Sequence, residues 1–257
     1  MLKVVSTNIR FDNPADSPND WNGRRKLLTR LINEFSPDII GTQEGREPQL
    51  KDFESLLPSH KLIDLNREWI EERMYPCILV NSKTIDVIDS GDIWLSETPF
   101  EAGTKSFESA FPRLCTWIQA RVIETGKDFF YVNTHLDHVL DKTRKAQIKV
   151  LISEVKKKNI LELPIILSGD FNESPAEDVR EIINKEWPNL SDPWQSLGKS
   201  EQTSFHKFDG THDNGSRIDW ILADKSFHAS SMEIVQDHED NIYPSDHFPV
   251  FAEFTYE

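Results

Sequence analysis

The run Leu163-Pro164-Ile165-Ile166-Leu167, continued by Ser168-Gly169-Asp170-Phe171-Asn172-Glu173-Ser174-Pro175, decides how this chain is read. Its apolar half reads as a buried strand that stops at the glycine. Asp170 and Asn172 then emerge past the strand end, a carboxylate and an amide two residues apart. Such a pair can hold a water or a metal ion against a substrate oxygen. The same residues suit a plain turn, because Gly, Asp, Asn and Pro each favour one. Recurrence separates the two readings: polar groups stand at four other expected strand ends.

Outward from that stretch, residues 2–9 read as a strand with Asn8 near its end. A polar loop over 11–22 leads to a helix over 24–35, where Leu27, Leu28, Leu31, Ile32 and Phe35 share one face. Pro37 ends that helix, and a short strand over 38–43 leaves Glu44 beyond it. A short helix is expected over 48–57. The middle reads as strands over 76–80, 85–95, 114–123 and 129–136, with a hairpin turn at Gly126. The polar loop over 99–112 is expected to border a cleft. Helices follow over 142–158 and 176–187, and Lys156, Lys157 and Lys158 suit the negative end of the first as a solvated cap. Strands over 217–222, 232–235 and 248–254 complete the chain. Many strands with a few amphipathic helices imply two packed sheets with helices outside.

With 37% hydrophobic residues, the 257-residue chain can bury a sizeable core, and no linker divides it, so one domain over 1–257 is expected. The N-terminus reads as a strand, without a secretion signal, and no apolar run is long enough to cross a membrane. Cys77 and Cys115 lie in apolar runs and read as buried thiols. A cytoplasmic protein is expected, with no membrane contact and no obligate protein partner. The formal charge of −15 opposes a nonspecific grip on a phosphate backbone. A divalent cation with a few local arginines can still reverse the field at one site.

Glu44 offers a hard oxygen ligand for Mg²⁺ or Mn²⁺, or is simply solvated. His135 follows Asn133-Thr134 at a strand end, with Asp137 and His138 close behind. It can hydrogen-bond a phosphate oxygen, ligate a metal or lie in a surface turn. Asp219 stands between Ile218 and Trp220 and needs a partner if buried. Ser245-Asp246-His247-Phe248 supplies one: Asp219 can orient His247, leaving Asp246 free to face a metal or water. The aromatic residues of Thr203-Ser204-Phe205-His206-Lys207-Phe208, and Trp21, Trp69 and Trp194, can stack on a substrate or pin surface structure. Trp117 and Trp220 lie in strand runs and read as core.

In their order, Thr7-Asn8, Gln43-Glu44, Asn133-Thr134-His135-Leu136, Gly169-Asp170-Phe171-Asn172, Arg217-Ile218-Asp219 and Ser245-Asp246-His247 resemble the endonuclease/exonuclease/phosphatase superfamily of metal-dependent phosphoesterases. The likeness covers nearly the whole chain. It implies a DNase I-like fold, a four-layer α/β/β/α sandwich with two packed mixed β-sheets. It further implies that Glu44 binds Mg²⁺, or Mn²⁺, with Asn8 and Asp246 helping to form the shell. Asp170 would orient or deprotonate the attacking water, and Asn172 would hold that water or a phosphate oxygen. His247, oriented by Asp219, would touch the phosphate, with the choice of base between Asp170 and His247 open. His135 resembles the histidine of the DNase I-like and phosphatase branches. Arg10 stands where several nuclease branches carry an acid, and Arg113 resembles a phosphate-contacting arginine; both are candidates for substrate phosphate. The first expectation is metal-dependent phosphodiester hydrolysis, including nuclease activity on small or single-stranded nucleic acid. The alternative is a phosphomonoesterase for a soluble phosphorylated metabolite, and a nonenzymatic binding protein is a third class.

Overall fold

Apolar side chains on both faces of most strands require cover on two sides, and two sheets with outer helices supply it. The computed structural model describes residues 1–65, 67–210 and 215–256. Among these, the strands in chain order are β1 (Leu2–Asn8), β2 (Ile39–Gly45), β3 (His60–Leu62), β4 (Tyr75–Asn81), β5 (Ile85–Trp94), β6 (Leu114–Val122), β7 (Lys127–His135), β8 (Ile165–Asp170), β9 (Leu190–Ser191), β10 (Asp219–Asp224), β11 (Phe227–Ile234) and β12 (Val250–Tyr256). The helices are α1 (Trp21–Phe35), α2 (Glu47–Leu56), α3 (Asp141–Lys158), α4 (Asp178–Glu186) and the single turn α5 (Pro193–Ser196). One sheet has the order β11-β12-β1-β2-β4-β3 and the other β5-β6-β7-β8-β10-β9.

Side chains alternate between the faces of a strand, so each strand feeds two layers. Val4, Ile39, Phe129, Ile166, Ile221 and Ala252 meet between the sheets. Val5, Ile40 and Leu79 turn outward onto Leu28, Ile32 and Phe53 of α1 and α2. Phe130, Val132 and Leu167 turn outward onto Ile148, Leu151 and Ile183 of α3 and α4. The result is the four-layer α/β/β/α sandwich, with two mixed sheets. No helix among the described residues is long and apolar enough to cross a membrane.

Sheet topology gathers the polar strand ends. β1 and β2 run parallel with Asn8 opposite Gln43, and β7 and β8 run parallel with His135 opposite Asp170. Both parallel pairs therefore deliver their C-terminal ends to one edge. β10 is antiparallel to β8, so its first residue, Asp219, lies opposite Asp170. β12 is antiparallel to β1, so the Ser245–Phe248 segment before it arrives at that edge too. Along the inner faces the residues change from apolar to polar toward it: Leu2, Val4, Ser6 and Asn8 in β1, and Phe129, Tyr131, Asn133 and His135 in β7.

Several element ends differ from the sequence reading. β8 does not stop at Gly169 but continues through Asp170. Gly169 has φ +152°, and a Cβ there would lie 2.2 Å from the Thr134 carbonyl oxygen. The strand persists because glycine permits that approach. Asp219 opens β10 rather than lying inside a strand. α1 begins at Trp21, three residues early, because Asp20 caps it through the Gly23 N–H at 2.8 Å. β11 is longer than expected, with exposed polar residues such as His228 and Glu233 on an edge strand. Trp21 and Trp194 are buried, which makes them core residues rather than stacking platforms.

Candidate active site

Asp170 sits on the inner face of β8 at the polar end of the sandwich, 1% exposed. Its Oδ2 accepts from Asn8 Nδ2 at 3.0 Å and lies 3.4 Å from His135 Nε2 and 3.9 Å from His247 Nε2. Its Oδ1 accepts the Asn172 N–H at 2.9 Å. Burial, together with the charge of Asp219, pushes the Asp170 carboxyl up to about 7.

His247 Nδ1 lies 2.8 Å from Asp219 Oδ2, the pairing that a buried aspartate at this position required. Asp219 is steadied by Ser204, whose hydroxyl accepts its N–H at 3.1 Å. Burial would lower His247, but Asp219 beside Nδ1, with Asp170 and Asp246 near, outweighs it and holds the imidazole well above its ordinary value. His135 goes the other way: burial, then the cations Arg113, His247 and His138, hold it well below its ordinary value. One ring is therefore charged at neutral pH and the other neutral.

Glu44 lies within a register shift in β2 against β4 between Thr42 and Gly45 and has φ +65°. That irregularity turns its carboxylate toward the cleft. Arg10 (φ +47°) and Asn172 (φ +51°) share the left-handed backbone, so three cleft residues sit in conformations that cost energy and need support from their surroundings. Asn8 Nδ2 donates to Glu44 Oε1 at 3.2 Å as well as to Asp170, while its Oδ1 accepts the Arg10 N–H at 2.9 Å. Asn8 thus ties the Glu44 and Asp170 carboxylates together through its amide nitrogen. Asp246 lies 3.8 Å from Arg10 Nε, and burial pushes its carboxyl up against the opposing charge of His247.

Glu44, Asp170 and Asp246 line one cleft of about 510 Å³ together with Arg10, Arg113, His135, Asn172 and His247. Arg113 is 6% exposed, has no carboxylate partner among the described residues, and leaves its Nε without a hydrogen bond. Its other contact is His138 Nδ1 at 3.4 Å, and His138 stacks on Phe111 of the loop expected to border a cleft. Phe205 lines the opposite approach with its ring 4.8 Å from that of His247, while His206 stacks inward on Phe248. Asp137 does not reach the site: it accepts the N–H groups of Ala110, Val139 and Leu140 and so braces the entry to α3.

Sequence reasoning missed Arg24, Arg46, Arg73 and Met74. The last three line the cleft, and Arg24 lies beneath it. Arg24 is fully buried and donates to the carbonyls of Asn19, Ile9, Pro244 and Arg10. It ties the Asn8–Arg10 turn to the segment carrying Asp246 and His247. An arginine near the start of an amphipathic helix carries no signal of such a role.

The donor set fits a hard divalent cation. Three hard oxygen donors, the carboxylates of Glu44, Asp170 and Asp246, line the cleft, and Asp219 Oδ1 beside it has no hydrogen-bond partner. Asp170, Asp219 and His247 also place one ligand atom each within 4.8 Å of one another, a group that could hold a metal ion only once His247 has lost its proton.

Comparisons with known proteins agree with this geometry. The profile of the Endonuclease/Exonuclease/phosphatase family matches residues 5–247. The mannosyl-6-phosphatase Bt3783 of Bacteroides thetaiotaomicron is similar at 29% identity and TM-score 0.90, over 100% of both chains. An endonuclease/exonuclease/phosphatase from Bacteroides vulgatus is 28% identical at TM-score 0.91, covering 100% of this chain and 99% of that one. The uncharacterized protein L388 of Acanthamoeba polyphaga mimivirus is 26% identical over 231 residues, 84% of this chain and 83% of its own. Strand-end acids, amides and histidines gathered at one edge of a two-sheet sandwich, with this match along nearly the whole length, make the chain a member of the endonuclease/exonuclease/phosphatase family.

Proposed function

We propose that the chain, acting as one domain, is a divalent-metal-dependent phosphoesterase that hydrolyses phosphomonoesters of small polar molecules, sugar phosphates first among them. The observation that carries this reading is the cleft floor, where His247, paired with Asp219, and buried Arg113, without a carboxylate partner among the described residues, line the cleft beside Asp170. A monoester brings more negative charge than a diester, and these two cations suit it. The full-length likeness to a mannosyl-6-phosphatase and the overall charge of −15 favour a small ester over a polyanion, reversing the order expected from sequence. Buried thiols at Cys77 and Cys115 suit a reducing cytoplasm.

Glu44 and Asp246 would hold Mg²⁺ or Mn²⁺, with Asn8 orienting the Glu44 carboxylate. Bound there, the ion draws off charge from the phosphate oxygens. Arg113 grips the phosphate from the Phe111 side. Asp170, raised to near the working pH, accepts a proton from the attacking water. The imidazolium of His247, locked in place by Asp219, donates to a phosphate oxygen or to the departing alcohol. Asn172 and neutral His135 keep Asp170 and the water aligned.

The test is a panel of mannose 6-phosphate, other sugar phosphates, bis-p-nitrophenyl phosphate and oligonucleotides, with Mg²⁺, Mn²⁺ or EDTA and an Asp170→Ala control. Metal-dependent phosphate release from a sugar phosphate, lost in the variant, is the expected result. Cleavage of the diesters with every monoester left intact would overturn it in favour of a diesterase.

A further inference from the structure

Arg10 is held more firmly than an arginine at a cleft edge needs to be. Its N–H goes to Asn8 Oδ1, and its carbonyl accepts from Arg24 at 2.6 Å and Gln49 Nε2 at 2.8 Å. Its Nε donates to Asp16 Oδ2 at 2.9 Å, and Asp16 is itself steadied by Asn13 Nδ2 at 3.0 Å. The guanidinium lies 4.3 Å from the centre of the Phe11 ring. Backbone, side chain and ring contact together leave it one place to be. There, Nη1 is 3.9 Å from Glu44 Oε2 and Nε is 3.8 Å from Asp246 Oδ2. The two carboxylates best suited to a divalent ion therefore already share a covalently attached cation. The other charges near it are the carboxylate of Asp16, the buried cation Arg24 from the α1 side, and Arg46, which lies over the same Phe11 ring.

We infer that Arg10 is a built-in counter-charge that loosens the grip of Glu44 and Asp246 on a divalent ion and limits the site to one such ion. The inference rests on the metal reading proposed above. A fixed unit charge a few ångströms from a dication repels it, and partly neutralised carboxylates attract it less. The same charge, which cannot diffuse away, lines the cleft that incoming phosphate would enter and opposes a second dication there. Arg10 acts on the ion through charge, with no ligand bond of its own.

The experiment is Mn²⁺ binding to the substrate-free protein, followed by calorimetry and by electron paramagnetic resonance, for wild type, Arg10→Gln, Arg10→Lys and Glu44→Gln. Thermal unfolding of the same samples checks the fold. One Mn²⁺ per chain is expected in wild type. Arg10→Gln should bind it about tenfold more tightly, the effect of removing one unit charge from a hydrated cleft. Arg10→Lys keeps the charge but loses the Nε bond to Asp16 and the planar contact with Phe11, so it should bind Mn²⁺ more weakly than Arg10→Gln without matching wild type. Equal affinity in wild type and Arg10→Gln, or Arg10→Lys behaving like Arg10→Gln, overturns the inference and leaves the metal reading standing. Two tightly bound ions in wild type do the same. Wild type that binds no Mn²⁺, like Glu44→Gln, overturns the metal reading and the inference with it.

Discussion

Asp170 and His247 lie 3.9 Å apart and hold their protons for opposite reasons. Asp170 is raised because burial and Asp219 make its charge costly, and His247 is raised because the same Asp219 makes its charge favourable. The base must be ionised and the imidazole protonated, so kcat/KM should be bell-shaped in pH. Its acid limb falls as pH drops through the raised value of Asp170, about 7. Its alkaline limb falls where His247 loses its proton, above the ordinary histidine range. Asp219→Asn removes the charge that sustains the imidazolium, so the alkaline limb should move to lower pH. Asp170→Asn should reduce kcat by roughly 10²–10⁴-fold without unfolding the chain. A pH–rate profile of the three proteins checks both. An Asp219→Asn profile with an unmoved alkaline limb would remove His247 from the acid role.

Among the elements, α1 does more than cover its sheet. Its apolar stripe, Leu27, Leu28, Leu31 and Ile32, was readable from spacing and packs on β1 and β2. Its buried Arg24 was not readable, because helical periodicity says which face a residue occupies and not which loops approach that face. Burial pushes Arg24 down to about 10, still charged at neutral pH, and its donors satisfy the carbonyls of Asn19, Ile9 and Pro244 and share that of Arg10 with Gln49. Arg24→Met keeps the volume and strands those acceptors. It should cost about 3 kcal/mol in urea unfolding, and lower kcat/KM as the two loops separate. β8 shows the converse. Its existence and apolar pattern were legible, but its end was misread, because the glycine that signals a turn in sequence here allows β8 to pass close to the Thr134 carbonyl of β7.

Across the whole molecule, Asn133 links the two sheets at the boundary between apolar core and active site. From β7 it donates to the Thr42 and Cys77 carbonyls, each at 2.8 Å, and accepts from Gln43 Nε2 at 2.7 Å, all in the other sheet. Gly41 leaves room for this: a Cβ there would lie 2.5 Å from the Tyr131 hydroxyl and 2.9 Å from Asn133 Oδ1. Asn133→Ala should destabilise the fold by about 3 kcal/mol, because two buried carbonyls and an amide lose their partner. It should also reduce activity, since Asn8 and Asp170 end strands on opposite sides of that link. Chemical denaturation with a parallel assay measures both. A loss under about 0.5 kcal/mol, the range of an ordinary surface change, would show that the sheets do not depend on this contact.

By itself the sequence determined which segments are strands and helices over most of the chain, and that polar groups stand at their ends. Burial pattern and residue type are local properties, and local order preserves them. The resemblance then named the family and a residue set that includes Glu44, Asp170, Asp219 and His247. Only the tertiary structure decided that Asn8 orients carboxylates, that Arg10 stands between Glu44 and Asp246, and that Arg24 ties two distant loops together. It also decided that burial and the Asp219 charge act together on both Asp170 and His247. These are relations between side chains separated by up to 239 positions, such as Asn8 and His247, and they depend on strand order and register. A one-dimensional pattern records which groups are available. The distances that make a carboxylate a base, a ligand or a brace arise when the sheets pair.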